Sequence, residues 1–260
     1  MRYRSLFLLV LWAMPASVAA REVGISYGFT YSSGEYGGID PIKIGSTYLG
    51  LNTTVGDWRL DATFPYLAID SGGVAIDAGG LVLPGEGGRK TNGFGDLTLR
   101  ASRPILNGEN MPFDIRLAIQ SKIPIGQAGL STGQFDGGAD VEVSKSVGLV
   151  SPFVSAGYRT YGDSNNLELE DGWVLSAGST FTLGKITLIG SYDWAQSAMD
   201  GPASQELFGI AAGELSPNWG WTAFGSKGVS SGAADFMLGF GITRTFGKGS
   251  LKTVPVRRRP

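Results

Sequence analysis

The sequence predicts an all-β protein, an antiparallel up-and-down transmembrane β-barrel of about 12 strands. Three observations predict it. Between Glu22 and Phe246 nothing repeats apolar residues at helical spacing over three turns, whereas segments of about ten residues alternate with period two. The connections between these segments alternate in length, short then long. Trp, Tyr and Phe gather at the segment ends rather than at their middles.

Segment 57–68, DWRLDATFPYLA, alternates most cleanly: Trp58, Leu60, Ala62, Phe64 and Tyr66 lie on one side, Asp57, Arg59, Asp61 and Thr63 on the other. In 93–104, Leu97, Leu99 and Ala101 oppose Asp96, Thr98, Arg100 and Ser102. In 112–122, Phe113, Ile115, Leu117 and Ile119 oppose Asp114, Arg116, Gln120 and Lys122. In 138–147, Val141, Val143 and Val147 oppose Asp140, Glu142, Ser144 and Ser146. The period continues through 22–32, 43–54, 151–161, 171–182, 186–195, 203–214, 218–227 and 234–246, most weakly in 22–32 and 203–214. Gly, Asn, Asp, Ser and Pro clusters separate the segments.

The long connections are 33–42, 69–92, 123–137, 162–170, 196–202 and 228–233, and those between them are tight. Short turns on the periplasmic side, long loops outside and an even strand number are what an outer-membrane barrel requires. Closure pairs every backbone group, which strands crossing lipid need, and segments of ~9–11 residues suit the thickness. Alternation alone would suit a soluble antiparallel sheet equally well. The aromatic placement adds to it: Trp58, Phe113, Phe181, Trp219 and Phe246 sit at short-turn ends, Tyr66, Tyr158, Trp173, Trp194 and Phe236 at long-loop ends. Two such belts are the girdles of two membrane interfaces.

Residues 1–20, MRYRSLFLLVLWAMPASVAA, read as a signal peptide: Arg2 and Arg4, then an apolar run, then a small-residue cleavage site. The barrel is expected over 21–246, followed by a basic, solvated and disordered tail over 247–260. Arg257 to Arg259 in that tail could alternatively touch anionic phospholipid or cell wall. The expected location is the outer membrane of a Gram-negative bacterium, with its lipid and lipopolysaccharide as surroundings. The last strand places Phe236, Leu238, Phe240, Ile242 and Phe246 on one face, interrupted by Arg244. A closing strand ending in Phe resembles the signal read by the barrel assembly machinery, although here fourteen residues follow.

Composition excludes several functions. There is no His and no Cys among the 260 residues, which removes Ser-His and Cys-His catalysis and every metal site built on those ligands. Without Arg2 and Arg4 the remaining 19 bases and 23 acids give −4, the wrong balance for nucleic acid. No cofactor and no enzymatic activity are expected; paired carboxylates such as Asp57 with Asp61 share a face, but neighbouring Arg59 and Arg100 keep them ionised.

The candidate pore-lining residues are the charges on the inward parity: Asp57, Arg59, Asp61, Asp96, Arg100, Asp114, Arg116, Lys122, Asp140, Glu142 and Arg159, with Asp193 beyond them. Two readings stand side by side. They form a salt-bridge network that fills and stiffens the wall, or a constriction whose field acts on a water-filled path. Loop 69–92 is the longest and carries Val74, Ile76, Leu81, Val82 and Leu83, so it either prolongs its flanking strands or folds inward as a gate. Glu168, Glu170 and Asp171 are either solvated or bind divalent cations at the lipopolysaccharide surface.

Five stretches in order, GFGDLTLRAS (93–102), SKIPIG (121–126), LSTGQFDGGADVEVSKSVG (130–148), SPFVSAGYRTYGD (151–163) and EDGWVLSAGSTF (170–181), resemble outer-membrane transporters assigned to the MetA pathway of phenol degradation. The similarity covers roughly residues 40–246. The resemblance implies passive passage of small molecules, aromatic or apolar ones among them, and supplies no catalytic residues. A barrel plugged by its own side chains, serving a structural or surface-interaction role, is the alternative.

Overall fold

The computed structural model describes residues 22–36, 41–70, 73–76, 82–84, 90–106, 112–162 and 169–247. The expected signal peptide, the tail beyond Gly247, much of loop 69–92 and Glu168 lie outside these residues. The described chain is all β. Its strands are β1 (Glu22–Gly34), β2 (Ile42–Val55), β3 (Trp58–Asp70), β4 (Thr91–Phe94 and Leu97–Leu106), β5 (Asp114–Ile123) and β6 (Asp136–Ser144). β7 (Val150–Thr160), β8 (Gly172–Leu183), β9 (Ile186–Ala195), β10 (Ser204–Ser216), β11 (Trp219–Gly228) and β12 (Phe236–Gly247) complete the set.

Each strand pairs antiparallel with its neighbour in sequence, and β1 pairs with β12 from Glu22↔Gly247 to Ser33↔Phe236. The sheet therefore closes into a 12-stranded barrel with no free edge. Every strand end lies within three residues of the end expected from the sequence. Two details were not expected. β4 breaks at Gly95–Asp96, where Gly95 N–H reaches the Pro65 carbonyl at 3.0 Å. Within loop 69–92, Gly73–Ile76 pairs with Val82–Pro84 as a separate hairpin.

Large apolar side chains cover the outside: Ile25, Tyr27, Phe29 and Tyr31 on β1, Leu49 and Leu51 on β2, Leu238 and Phe240 on β12. Tyr27 is 62 % exposed in mid-strand. A soluble domain does not display a continuous band of this kind, which is stable against hydrocarbon. The outward alternation of β1 is in fact regular; segment 22–32 reads poorly because its inward positions are Gly24, Ser26, Gly28, Thr30 and Ser32, too small to mark a face.

The expected aromatic girdles are present on the outer face, with Trp173 packed edge-on against Tyr158 at 5.1 Å at the long-loop end. At the short-turn end the Arg244 guanidinium lies 5.5 Å from the Trp219 ring and 4.8 Å from Phe246, while Arg103 lies 5.4 Å from Trp58. Arg244 thus interrupts the apolar face of β12 at the interface, where a stacked cation with its head toward water is tolerated.

Inside, Gly28 of β1 and Gly241 of β12 lie under the Tyr48 ring of β2. A Cβ at Gly28 would meet the Tyr48 hydroxyl and come within 2.6 Å of the Phe240 carbonyl oxygen. The backbone contact cannot swing away, so Gly28→Val is expected to lower stability by about 1–3 kcal/mol through overpacking. A shift of the urea unfolding midpoint, followed by tryptophan fluorescence in lipid vesicles, checks this.

Candidate functional site: the barrel lumen

The strand pairings put most charged residues of β3 to β7 on the inner wall, Arg103 in the outer girdle being an exception. Arg59 pairs with Asp61 two residues along β3 at 3.0 Å. Arg100 of β4 reaches across β5 to Asp140 of β6, donating from Nη2 at 2.7 Å and from Nη1 at 3.3 Å, with Nη1 also 3.2 Å from Gln120 Oε1. Arg159 of β7 donates to the other side of the same carboxylate at 3.1 Å. Two guanidinium groups therefore clamp Asp140, which fixes both long side chains flat against the wall. Arg116 and Glu142 are a looser pair at 4.0 Å.

A second network is buried. Lys122, 3 % exposed, sits at the end of β5 with Nζ 2.6 Å from Asp136 Oδ2 and 3.5 Å from Asp96 Oδ2. Asp96 also accepts from the Gly126 N–H at 2.8 Å and the Ser131 hydroxyl at 2.7 Å. Lys122 donates to Thr132 Oγ1 at 2.8 Å, and Gly162 N–H donates to Asp136 Oδ1 at 3.0 Å. Gly126, Ser131 and Thr132 belong to the β5–β6 connection, so a wall-bound ion cluster holds this loop by both its backbone and its hydroxyls.

The held loop turns into the barrel mouth. Gln127 N–H bonds the Phe94 carbonyl at 2.9 Å, which lays the loop across the inner side of β4. The Gln127 amide occupies the space where a side chain at Gly93 would stand, and Gly93 has φ 155°, so glycine is required there twice over. Leu130, at the loop's far point, is 0 % exposed and packs on Ile42, Ile44, Leu67 and Ile69, the inward residues of β2 and β3. Tyr36, in the β1–β2 connection with φ 48°, packs on the same group and shares a 2.9 Å hydrogen bond with Ser32. Burial raises the Tyr36 phenol pKa above its ordinary 10.0; the Ser32 bond lowers it in part, and Glu206 and Asp235 raise it further. One side of the mouth is thus filled by an apolar wedge.

The opposite arc of the wall, β8 to β12 with β1 and β2, presents Ile189, Phe208, Ile210, Phe224 and Tyr48 inward among small residues, together with the carboxylates Asp193, Glu206 and Glu214. Phe208 and Phe224 are 6.4 Å apart and tilted, and the Phe224 ring lies over Gly239. A cavity of about 270 Å³ runs along the wall from β4 to β10, bounded by Arg100, Asp140, Arg159, Ser176, Asp193 and Glu206; the Phe208, Phe224 and Tyr48 rings do not border it. That volume equals about nine waters at ~30 Å³ each in the liquid.

Of the expected pore-lining residues, Arg59, Asp61, Arg100, Asp114, Arg116, Asp140, Glu142 and Arg159 all face inward. Asp96 and Lys122 face inward as well but are sealed beneath the loop. Asp57 is a correction: it occupies the Gly56–Asp57 turn between β2 and β3, exposed beyond the wall, because the turn at Gly56, φ 61°, makes β3 begin at Trp58, one residue later than the alternation suggested. The sequence reading missed Asp136, Glu206 and the inward loop 124–135. It attended instead to loop 69–92, of whose side chains nothing is described between 71 and 89. Asp136 and Ser131 carried a signal in the polar ends of 123–137, but the partner Asp96 is 40 residues away from Asp136, beyond any local pattern.

No protein-family model matches the chain, and no curated protein does. Among solved structures it is similar to the β domain of the Bordetella autotransporter BrkA, at 12% identity over 86% of this chain and 99% of that one, with a TM-score of 0.48. It is similar to the translocator domain of the autotransporter NalP from Neisseria meningitidis, at 11% identity over 92% and 93%, TM-score 0.49. It is also similar to OprB of Pseudomonas putida, at 8% identity over 87% and 93%, TM-score 0.41. The barrel described above stands on this chain's own strand pairings.

Proposed function

We propose that the protein is an outer-membrane channel of a Gram-negative bacterium through which small molecules pass passively, without chemical change. The observation that carries this reading is the cavity of about 270 Å³ in the lumen, bordered by Arg100, Asp140 and Arg159 on one side and by Asp193 and Glu206 on the other. Side chains fill an eight-stranded barrel, whereas a wider one keeps space along its axis. The clamped guanidinium groups of Arg100 and Arg159 leave that space clear by lying along the wall. The charged groups of the cavity suit a small molecule with a polar end, and the Phe208 and Phe224 rings elsewhere on the inner wall suit an aromatic or apolar body. The resemblance to transporters of the phenol-degradation pathway supports the same class. Outer-membrane lipid, lipopolysaccharide and the barrel assembly machinery are the partners of this reading.

The wedge formed by Leu130 and Tyr36 favours a second reading, a plugged barrel with a structural or surface-interaction role. Conductance of the purified, refolded chain in a planar lipid bilayer separates the two. Discrete conductance steps are expected. A barrel whose folded state is verified by heat-dependent gel mobility, and which never conducts, would establish the plug instead.

A further inference from the structure

Among the described residues, five basic side chains face the lumen from the wall, and each has an acidic partner. Asp96, Asp136, Asp140, Asp61 and Glu142 are consumed in these pairs. Asp193 of β9 and Glu206 of β10 are not. They stand directly opposite each other in the strand pairing, both inward, and both border the cavity. Asp193 accepts a hydrogen bond from Ser191 at 2.9 Å, and no basic group lies within 4.0 Å of either carboxylate among the described residues. Like charges placed opposite one another across a strand pair are unfavourable, and the two arginines that border the same cavity are already paired with Asp140. A cation entering the lumen would supply the missing counter-charge.

We infer that Asp193 and Glu206 make the lumen selective for cations, so that the solutes it passes are ammonium-bearing or neutral small molecules and not carboxylates or phosphates. The inference rests on the passage reading and adds the charge of the solute to it. The arginines do not oppose it, since the Arg100 and Arg159 charges are already directed at Asp140, 2.7 Å and 3.1 Å away. Across the cavity the balance is two bases against three acids, and the excess lies on the β9–β10 side. Coulomb attraction in a water-filled path changes the local concentration of an ion at ~5 Å about fourfold per unit charge.

The test is the reversal potential of the full chain in a neutral phosphatidylcholine bilayer under a KCl gradient, for the parent and for D193N, E206Q and the double variant. D200N, in the exposed β9–β10 connection, controls for surface charge. The parent is expected to favour K⁺ over Cl⁻ severalfold, the double variant to move toward equal permeability, and D200N to match the parent. Tetramethylammonium and methanesulfonate, tested on the parent alone, should repeat the preference without any substitution. A conducting parent that passes the anion as readily overturns the inference and leaves the passage reading intact. A conducting double variant with an unshifted ratio does the same. A folded parent that never conducts overturns the passage reading, and the inference with it.

Discussion

Lys122→Met is expected to destabilise the barrel by about 3–5 kcal/mol, the usual result of removing one partner of a buried ion pair. Methionine preserves the stem and its packing but removes the ammonium group that lies between Asp96 and Asp136. Two carboxylates, each almost wholly buried, are then left facing the same empty position. Their remaining donors, the Gly126 and Gly162 amides and the Ser131 hydroxyl, satisfy individual oxygens without cancelling charge. The urea midpoint of the refolded protein in vesicles reports the loss. The triple variant K122M/D96N/D136N should recover a large part of it, because neutral amides at both positions remove the uncompensated charge. A loss under about 1 kcal/mol for K122M would mean that the site is open to water and that the ion cluster holds nothing.

Leu130→Ala is expected to cost about 2–3 kcal/mol, the lower part of the range for a buried leucine, because a loop can settle into the space that a rigid core leaves as a cavity. Its larger consequence is positional. Leu130 is the member of the buried Ile42, Ile44, Leu67 and Ile69 group that loop 124–135 contributes, so its truncation loosens the loop at the mouth while the ion cluster still holds its other anchorage. The expected readings are faster proteinase K cleavage within 124–135 and a larger single-channel conductance. The two substitutions act on one element at its two anchorages. Their combined effect should therefore fall short of the sum, since a loop already released cannot be released again. Additive losses would show that the ion cluster and the apolar wedge are independent of each other.

The fold was legible because its signals are local. Period-two alternation, turn residues and end-placed aromatics each occupy one strand, and they recovered strand number and facing for ten strands with little ambiguity. β1 and β10 were the poor readings, for opposite reasons. β1 has glycine and serine inside, so its polar face scarcely registers. β10 carries Phe208 and Ile210 inside and Leu207 outside, so both faces read as apolar, and Glu206 passed without notice. The site was legible only where opposite charges shared the inward parity of neighbouring strands, as Arg100, Asp140 and Arg159 do. The wedge was not, because length drew attention to loop 69–92, whereas the loop that enters the lumen is the shorter one. What marks it is a triad of charges on three consecutive strands, Asp96, Lys122 and Asp136, which the pairing of β4, β5 and β6 brings together.

The unequal arcs of the lumen have a consequence for handedness. Around the cavity, the clamped arginines, the Asp193 and Glu206 carboxylates and the Val174 side chain surround a single space with three unlike neighbours. A solute with an ammonium group, a hydrogen-bond acceptor and an apolar group around one stereocentre can satisfy all three in one of its mirror images and only two in the other. A passage of this shape would carry enantiomers at unequal rates, which a pore of uniform lining cannot do.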